Sequence, residues 1–173
     1  MHSLSNLDSI PYLDSDGQVP EQFDRTVGVY AIFDADQVLQ YIGYSRDVTF
    51  SLKQHLVRQP QKCHWVKVQT IDRPNRTLLE EIRDAWIHEN GQAPLGNSTE
   101  EAVWNQAIDA KQQMNDEEKA AYESADDLGR VKLLKQVARR VERSVLAALE
   151  ERGAKLPIRF DPKAKEEGLL SLK

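Results

Sequence analysis

Two tyrosines and a histidine near the start of the chain have the residue types and the spacing of a shared polar site. Gly-Val-Tyr at 28–30 and Tyr-Ile-Gly at 41–43 are separated by ten residues, and His55 follows in a segment with helical spacing. Phenolic hydroxyls and an imidazole each donate and accept hydrogen bonds, and imidazole also takes up a proton near neutral pH. A plainer interpretation is equally open, in which the tyrosines are cross-strand packing partners and His55 is a surface histidine.

The hydrophobic pattern predicts the elements that position these residues. Residues 27–33 and 38–42 are apolar runs on either side of an acidic turn, which is typical of an antiparallel hairpin. Asp47 is the predicted N-cap of a helix. Residues 64–71 alternate as a third strand, and a second apolar helical stripe contains Trp86. The predicted core of the small domain comprises Trp86, Ile82, Val29 and Leu52. The hairpin would therefore hold the two tyrosines on neighbouring strands, beside a helix that carries His55.

The predicted fold class is α+β. A small three-stranded antiparallel or mixed sheet with flanking helices, in the order β-β-α-β-α, is followed by a helical C-terminal extension. We expect an N-terminal arm over residues 1–26, a compact domain over 27–97, and an extension over 98–173 that packs on it. The extension's main helix is predicted at about 128–152, with an apolar stripe at Val131, Leu134, Ala138, Val141, Val145 and Ala148. Capping boxes are predicted for Ser98 with Glu101 and for Asn115 with Glu118.

Charge and composition restrict the classes of function. The net charge is −5 with a pI near 5.4, which counts against tight nonspecific DNA binding. A local basic patch exists between Arg130 and Arg143, with six bases and one acid, and it is either a solvated face or a contact for an anionic partner. The single cysteine, Cys63, allows no internal disulfide and fits a reducing compartment. With no signal-peptide pattern and no apolar run long enough for a membrane span, we expect a cytoplasmic protein without membrane insertion.

Residues 28–97 resemble the GIY-YIG nuclease superfamily. The resemblance rests on GVY, the ten-residue gap, YIG, a following Ser-x-Asp and a helix that ends in histidine. The stretches QYIGYSRDV, HWVKV and AWIHENGQAPLGN are more similar still to cyanobacterial GIY-YIG-like proteins and to the N-terminal domains of chloroplast monothiol glutaredoxins.

The resemblance implies roles for individual residues. Tyr30 and Tyr41 match the motif tyrosines, His55 the histidine of the first helix, and Asn97 the terminal asparagine, and these four are the predicted catalytic residues. The family also has an arginine on the first helix that steadies a phosphate and a glutamate on the second helix that holds a divalent metal.

Two positions depart from the family pattern. Ser51 stands in the place of the arginine, and Arg83 stands in the place of the metal-binding glutamate. Glu80, one helical turn before Arg83, is a weak substitute as a metal ligand. We therefore predict an anion-binding pocket made by Arg83, Arg46 and Ser51 that needs no metal.

Three functions follow as alternatives. The first is a binding module for a phosphate-bearing ligand, nucleic acid or a protein partner, with weak or no metal-dependent cleavage and no cofactor. The second is an active endonuclease with a rearranged site, which would need a divalent metal such as Mg²⁺. The third is a protein-interaction scaffold that docks on a larger assembly.

Overall fold

The computed structural model describes residues 2–173 and has the predicted α+β class, with a mainly helical C-terminal part. The chain forms two compact units. Residues 2–105 and Arg152–Leu156 make the first unit, and Gln106–Glu151 with Pro157–Lys173 make the second. The predicted tyrosines, histidine and Arg83 all lie in the first unit.

The sheet of the first unit contains the predicted hairpin and one strand more than predicted. Its strands are β1 (Ile10–Pro11), β2 (Gly28–Phe33), β3 (Leu39–Ser45) and β4 (Trp65–Thr70), in the antiparallel order β1-β4-β2-β3. The extra strand comes from the N-terminal segment, where a short strand containing proline is acceptable because it lies at a sheet edge.

The hairpin turn follows from aspartate chemistry. The Asp34 carboxylate accepts hydrogen bonds from the amides of Asp36 at 2.9 Å and Val38 at 3.0 Å. Gln37 takes a positive φ of 65° in this turn. Asp and Asn side chains favour such turns because they bond to backbone amides two to four residues ahead.

Two helices pack on the sheet, and side chains cap both. Helix α1 spans Val48–Arg58 and α2 spans Arg76–Asn90. The side chain of Asp47 accepts from the Phe50 amide at 3.2 Å, and that of Asn75 accepts from the Leu78 amide at 3.1 Å. Such N-caps satisfy amides that have no partner within the helix.

The two faces of the sheet have different interiors. On the α2 face, Val29, Ala31 and Ile42 cluster with Ile82 and Trp86, which agrees with the predicted core. Alternation along β2 and β3 sends Tyr30 and Tyr41 to the other face, towards α1, because successive side chains of a strand point in opposite directions. Leu52, the remaining predicted core residue, is fully buried on α1.

The rest of the first unit completes the α1 side. A 3-10 turn at Leu95–Asn97 is followed by α3 at Glu101–Asn105. Trp104 of α3 is fully buried. Ser98 does not form the predicted capping box, because its hydroxyl donates to the carbonyls of Pro94 and Leu95 instead.

The second unit is built around one long helix. Its helices are α4 (Asp116–Ser124), α5 (Asp127–Glu151) and α6 (Pro162–Glu166), and its strands are β5 (Ile108–Asp109) and β6 (Leu169–Leu170). The predicted capping box of Asn115 and Glu118 begins α4. Helix α5 buries Leu134, Ala138 and Val141 of its predicted apolar stripe, whereas the other three stripe residues are half-buried. No helix in residues 2–173 combines the length and the apolar composition that crossing a membrane requires.

Candidate functional site

Strand register places the two motif tyrosines side by side. Tyr30 pairs with Gly43 and Tyr41 pairs with Ile32 across the hairpin, and the two phenol rings lie 6.2 Å apart. A Cβ atom at Gly43 would come within 2.6 Å of the Tyr41 ring and 2.8 Å of the Tyr30 hydroxyl. Glycine is required at this position because the two rings occupy the space of a side chain.

His55 joins Tyr30 in the protein interior. The Tyr30 hydroxyl and His55 Nε2 form a hydrogen bond of 2.7 Å, and only 4% of His55 is exposed. Burial, and secondly the charge of Arg58, lowers the pKa of His55 to about 3, while the Trp104 carbonyl acts more weakly in the opposite direction. The imidazole is therefore neutral at physiological pH and shielded from solvent.

Tyr41 links this interior cluster to the surface. Its ring stacks on Trp104 at 5.2 Å and lies 4.7 Å from the His55 ring. Its hydroxyl donates to Asn105 Oδ1 at 2.6 Å. Burial raises the pKa of Tyr41 to about 12, and burial also raises the pKa of Tyr30 well above its ordinary value. Both hydroxyls therefore stay protonated. We name Tyr30, Tyr41, His55 and Trp104 the aromatic cluster.

Arg58 is a member of this neighbourhood that the sequence pattern did not single out. It lies one helical turn after His55, and its Nη1 donates to the Trp104 carbonyl at 2.9 Å. Burial lowers the pKa of its guanidinium, while Tyr30 and Tyr41 act in the opposite direction. The spacing of three residues from His55 was the available signal, because it puts both side chains on one side of a helix.

A polar cleft of about 440 Å³ opens beside Tyr41. We call it the Arg83 cleft. Its lining comprises eight residues: Tyr41, Ile42, Gly43, Tyr44, Arg83, Asn97, Glu101 and Asn105.

Arg83 presents free donors in this cleft. Its Nε donates to Asp84 at 3.1 Å, and its guanidinium carbon lies 5.5 Å from the centre of the Tyr44 ring. The two terminal nitrogens make no hydrogen bond to any other part of residues 2–173. Only 31% of the Arg83 side chain is exposed. Its guanidinium lies over the Tyr44 ring, and this contact holds the side chain in place.

Glu80, the weak metal candidate, is engaged elsewhere. Its carboxylate accepts from Arg76 Nε at 2.8 Å and from the Tyr44 hydroxyl at 3.1 Å. The bond from Arg76, followed by that from Tyr44, lowers the pKa of Glu80. Among residues 2–173, no three His, Cys, Asp or Glu side chains converge as a metal site would require. The part of the chain that the structure describes thus has no carboxylate cluster around the tyrosines.

The remaining predicted site residues lie in separate places. Asn97 clamps the 3-10 turn to β3, since its side chain accepts from the Ile42 amide and donates to the Ile42 carbonyl, both at 2.7 Å. Ser51 donates to the Ser45 hydroxyl at 2.7 Å. Arg46 is exposed and lines a second cleft of about 360 Å³, which shares Tyr44 with the Arg83 cleft. The structure thus brings Tyr41, Asn97 and Arg83 to one cleft, but not Arg46 or Ser51.

Cys63 is fully buried. Its thiol donates to the His55 carbonyl at 3.6 Å, and burial raises its pKa well above the ordinary value. Reactive cysteines are accessible and have depressed pKa values. Cys63 therefore belongs to the packed interior and not to a thiol-exchange site.

No family model matches the chain. Over 101 residues the chain is 32% identical to the bifunctional monothiol glutaredoxin-S16 of Arabidopsis thaliana, a chloroplastic protein. The match covers 56% of this chain and 33% of the relative, so it spans about a third of that protein's length. The predicted resemblance to a chloroplast monothiol glutaredoxin is confirmed to this extent.

The same finding corrects another prediction. The predicted assignments to the GIY-YIG family, to endonucleases and to DNA-binding proteins are wrong, because the matched relative is named as a glutaredoxin and no nuclease family model matches. The fold and the site define a small α+β module with a buried aromatic cluster and an arginine-lined cleft.

Proposed function

We propose that the first unit is a binding module for a phosphate-bearing ligand, held in the Arg83 cleft without metal-dependent cleavage. The observation that carries this proposal is the pair of terminal Arg83 nitrogens that have no hydrogen-bond partner within the described residues and face a polar cleft. A guanidinium offers a forked pair of donors that matches two oxygens of one phosphate group.

The surroundings of the cleft favour binding over catalysis. A general base must be able to accept a proton near neutral pH. Tyr30 and Tyr41 stay protonated because burial raises their pKa values, and His55 is sealed in the interior. Glu80 is held by Arg76 and Tyr44.

The charges of the cleft predict modest affinity. Arg83 and Glu101 are its two charged lining residues, and their formal charges cancel. Selectivity for phosphate must then come from directed hydrogen bonds more than from net charge. Removal of the Glu101 charge should strengthen anion binding, and loss of the Arg83 fork should weaken it.

The experiment is an NMR titration of the full chain with inorganic pyrophosphate at constant ionic strength. We expect the largest shifts at the backbone amides of residues 41–44 and at Arg83 Nε–H. Hydrogen bonds to a charged group contribute about 1.5–3 kcal/mol, so Arg83→Gln should weaken binding ~10-fold or more. Glu101→Gln should tighten it.

Arg46→Gln is the matched control, because it removes the same charge from the neighbouring cleft. Equal weakening by Arg46→Gln and Arg83→Gln would show general charge attraction and refute the assignment. Shifts centred on Arg46 and Arg76, or none at all, would refute it as well.

A second candidate function is favoured by the comparison. The relative is bifunctional and named as a glutaredoxin, but this chain matches only a third of it and buries its one cysteine. We propose as the alternative that the first unit docks on a separate glutaredoxin through Leu95 and Val103. These two side chains are 50% and 51% exposed and lie on contacting elements, the 3-10 turn and α3.

Analytical ultracentrifugation with a purified monothiol glutaredoxin tests this alternative. A complex that Val103→Glu disrupts, and that Arg83→Gln leaves intact, would support it. The absence of any complex at 100-fold molar excess of the glutaredoxin would exclude it.

A further inference from the structure

The second unit contains a groove of about 540 Å³ that is independent of the Arg83 cleft. Its apolar lining includes Leu146 of α5, together with Ile158 and Phe160 from the segment that follows the helix. Leu146 is 41% exposed although it belongs to a helix that buries its opposite stripe. We call this feature the α5 groove.

The segment that forms one wall of the groove is held in position. The Asp161 amide donates to the Ser171 carbonyl at 2.8 Å, and the Lys173 amide donates to the Arg159 carbonyl at 3.0 Å. Phe160 forms an isolated bridge with Leu172. The Ile158 amide, in contrast, makes no hydrogen bond within residues 2–173. Backbone hydrogen bonds therefore hold this wall in position, and the Ile158 amide remains a hydrogen-bond donor without a partner among residues 2–173.

The rim of the groove is positive. Lys165 is neutralised by Glu142, with N–O distances of 2.5 and 3.0 Å. Arg159 and Lys173 also line the groove, and neither forms a side-chain ion pair among the described residues. The four charged side chains of the lining therefore sum to +2. Arg143, one helical turn before Leu146, adds another base that forms no ion pair in the described part of the chain.

We propose that the α5 groove binds an acidic, extended peptide segment of a partner protein, with an apolar anchor on Leu146, Ile158 and Phe160. Peptides commonly combine main-chain hydrogen bonds with side-chain pockets on an exposed backbone edge. Charge complementarity selects an acidic peptide, because the rim has a net charge of +2.

Other anionic surfaces fit this groove less well. A bilayer is bound by apolar side chains that project into it, whereas these apolar side chains line a concavity. Nucleic acid binding relies on many phosphate contacts, and two unpaired rim cations supply few of them.

The test is fluorescence anisotropy of the full chain with labelled nine-residue peptides. One probe carries Leu and Phe flanked by four Glu, and the matched probe has each Glu replaced by Gln. We expect saturable binding of the acidic probe that weakens with salt, and at least ~10-fold weaker binding of the neutral probe.

Variants locate the binding surface. Arg159→Glu should weaken binding of the acidic probe ~10-fold or more. Lys132→Glu is the control, because it makes the same charge change on α5 away from the groove. Lys132 lies about 16 Å along the helix from Arg143, and its substitution should change the affinity less than ~2-fold. Leu146→Gln should weaken both probes, since it removes the anchor without changing the charge. Circular dichroism of each variant confirms that it is folded.

Several outcomes would overturn the proposal. They are no binding at 1 mM protein, equal binding of the two probes, or equal effects of Arg159→Glu and Lys132→Glu. Sedimentation with anionic vesicles that Arg159→Glu abolishes, without any peptide binding, would assign the surface to a membrane and also refute the peptide. None of these results depends on the Arg83 cleft.

Discussion

The two faces of the sheet in the first unit use burial in different ways. On the α2 face, Val29, Ile42 and Trp86 pack as an apolar core. On the α1 face, Tyr30 and His55 are just as deeply buried, but they carry hydrogen-bonding groups. The first face contributes stability through apolar area, whereas on the second face stability also depends on whether each polar group keeps its partner.

The candidate site has two parts, the buried aromatic cluster and the accessible Arg83 cleft, because burial acts differently on each. Polar groups sealed in the interior lose their capacity to exchange protons with solvent, because burial disfavours their charged forms. The Arg83 cleft lies beside Tyr41 of the same cluster and is accessible to solvent. Tyr30 and Tyr41 thus have their hydroxyls in hydrogen bonds within the fold, whereas the terminal nitrogens of Arg83 have no hydrogen-bond partner among residues 2–173.

The largest expected effect on the free energy of unfolding comes from substitution of Trp86 on the α2 face. Trp86→Ala should lower the free energy of unfolding by ~3–5 kcal/mol, because it leaves a large cavity in a fully buried position. Trp86→Phe should cost less, since Trp86 Nε1 has no hydrogen-bond partner within residues 2–173 and its loss removes a buried unsatisfied donor. Chemical denaturation measures both values. A near-unchanged unfolding midpoint for Trp86→Ala would contradict the assignment of this face as the core.

The second expected effect is a pH dependence from the α1 face. The pKa of His55 is lowered from 6.5 to about 3 in the folded chain, so the unfolded chain takes up a proton first as the pH falls. The contribution of His55 to the free energy of unfolding is therefore complete above its unfolded pKa, and it is lost progressively as the pH falls from 6.5 to 3. The slope should approach about 1.4 kcal/mol per pH unit within this window.

The control for this slope is His55→Leu, which has no titrating group. The difference between the two proteins isolates His55 from the carboxylates that titrate over the same range. Parallel stability curves for the two proteins from pH 6.5 to 4 would show that His55 is protonated normally in the fold.

A smaller effect is expected from the hydrogen bond of the aromatic cluster. Tyr30→Phe removes the partner of His55 Nε2 and should cost ~1–3 kcal/mol, because a buried polar atom loses its hydrogen bond. In a His55→Leu background the same change should cost distinctly less. A double-mutant cycle from denaturation midpoints tests this coupling. Additive changes would show that the two groups do not support each other.

The smallest effect on stability is expected in the Arg83 cleft. Arg83→Gln should change the free energy of unfolding by less than ~0.5 kcal/mol, because the side chain is partly exposed and its ion pair with Asp84 is a surface pair. The same variant should weaken pyrophosphate binding ~10-fold or more. If Arg83→Gln destabilised the fold as much as Tyr30→Phe, the distinction between the supporting cluster and the binding cleft would fail.

Much of the first unit could be predicted from local sequence chemistry. Asp47 caps α1 as predicted, and the acidic turn after Phe33 joins two apolar runs. These features depend on residues that are near one another in the chain, where side-chain bonding and periodicity act directly. The same reasoning placed Tyr30 and Tyr41 on neighbouring strands, because two strands joined by a short turn must pair.

The sequence alone could not predict the contacts that cross the fold. The apolar pattern around Ile10 and Pro11 is too short to predict a strand. These two residues extend the sheet because the edge of β4 is available to pair with them. Trp104 stacks on Tyr41 across 63 positions of the chain, and Glu80 bonds to Tyr44 instead of turning towards the motif tyrosines.

The chemistry of the site was decided at this tertiary level for a physical reason. A protonation state depends on the solvent and charges around a group, and these come from elements distant in sequence. The sequence predicted that Tyr30 and Tyr41 lie on neighbouring strands beside a helix that carries His55, and it places an arginine at position 83. Only the tertiary structure determined that His55 is sealed and neutral while the terminal nitrogens of Arg83 remain available in an accessible cleft.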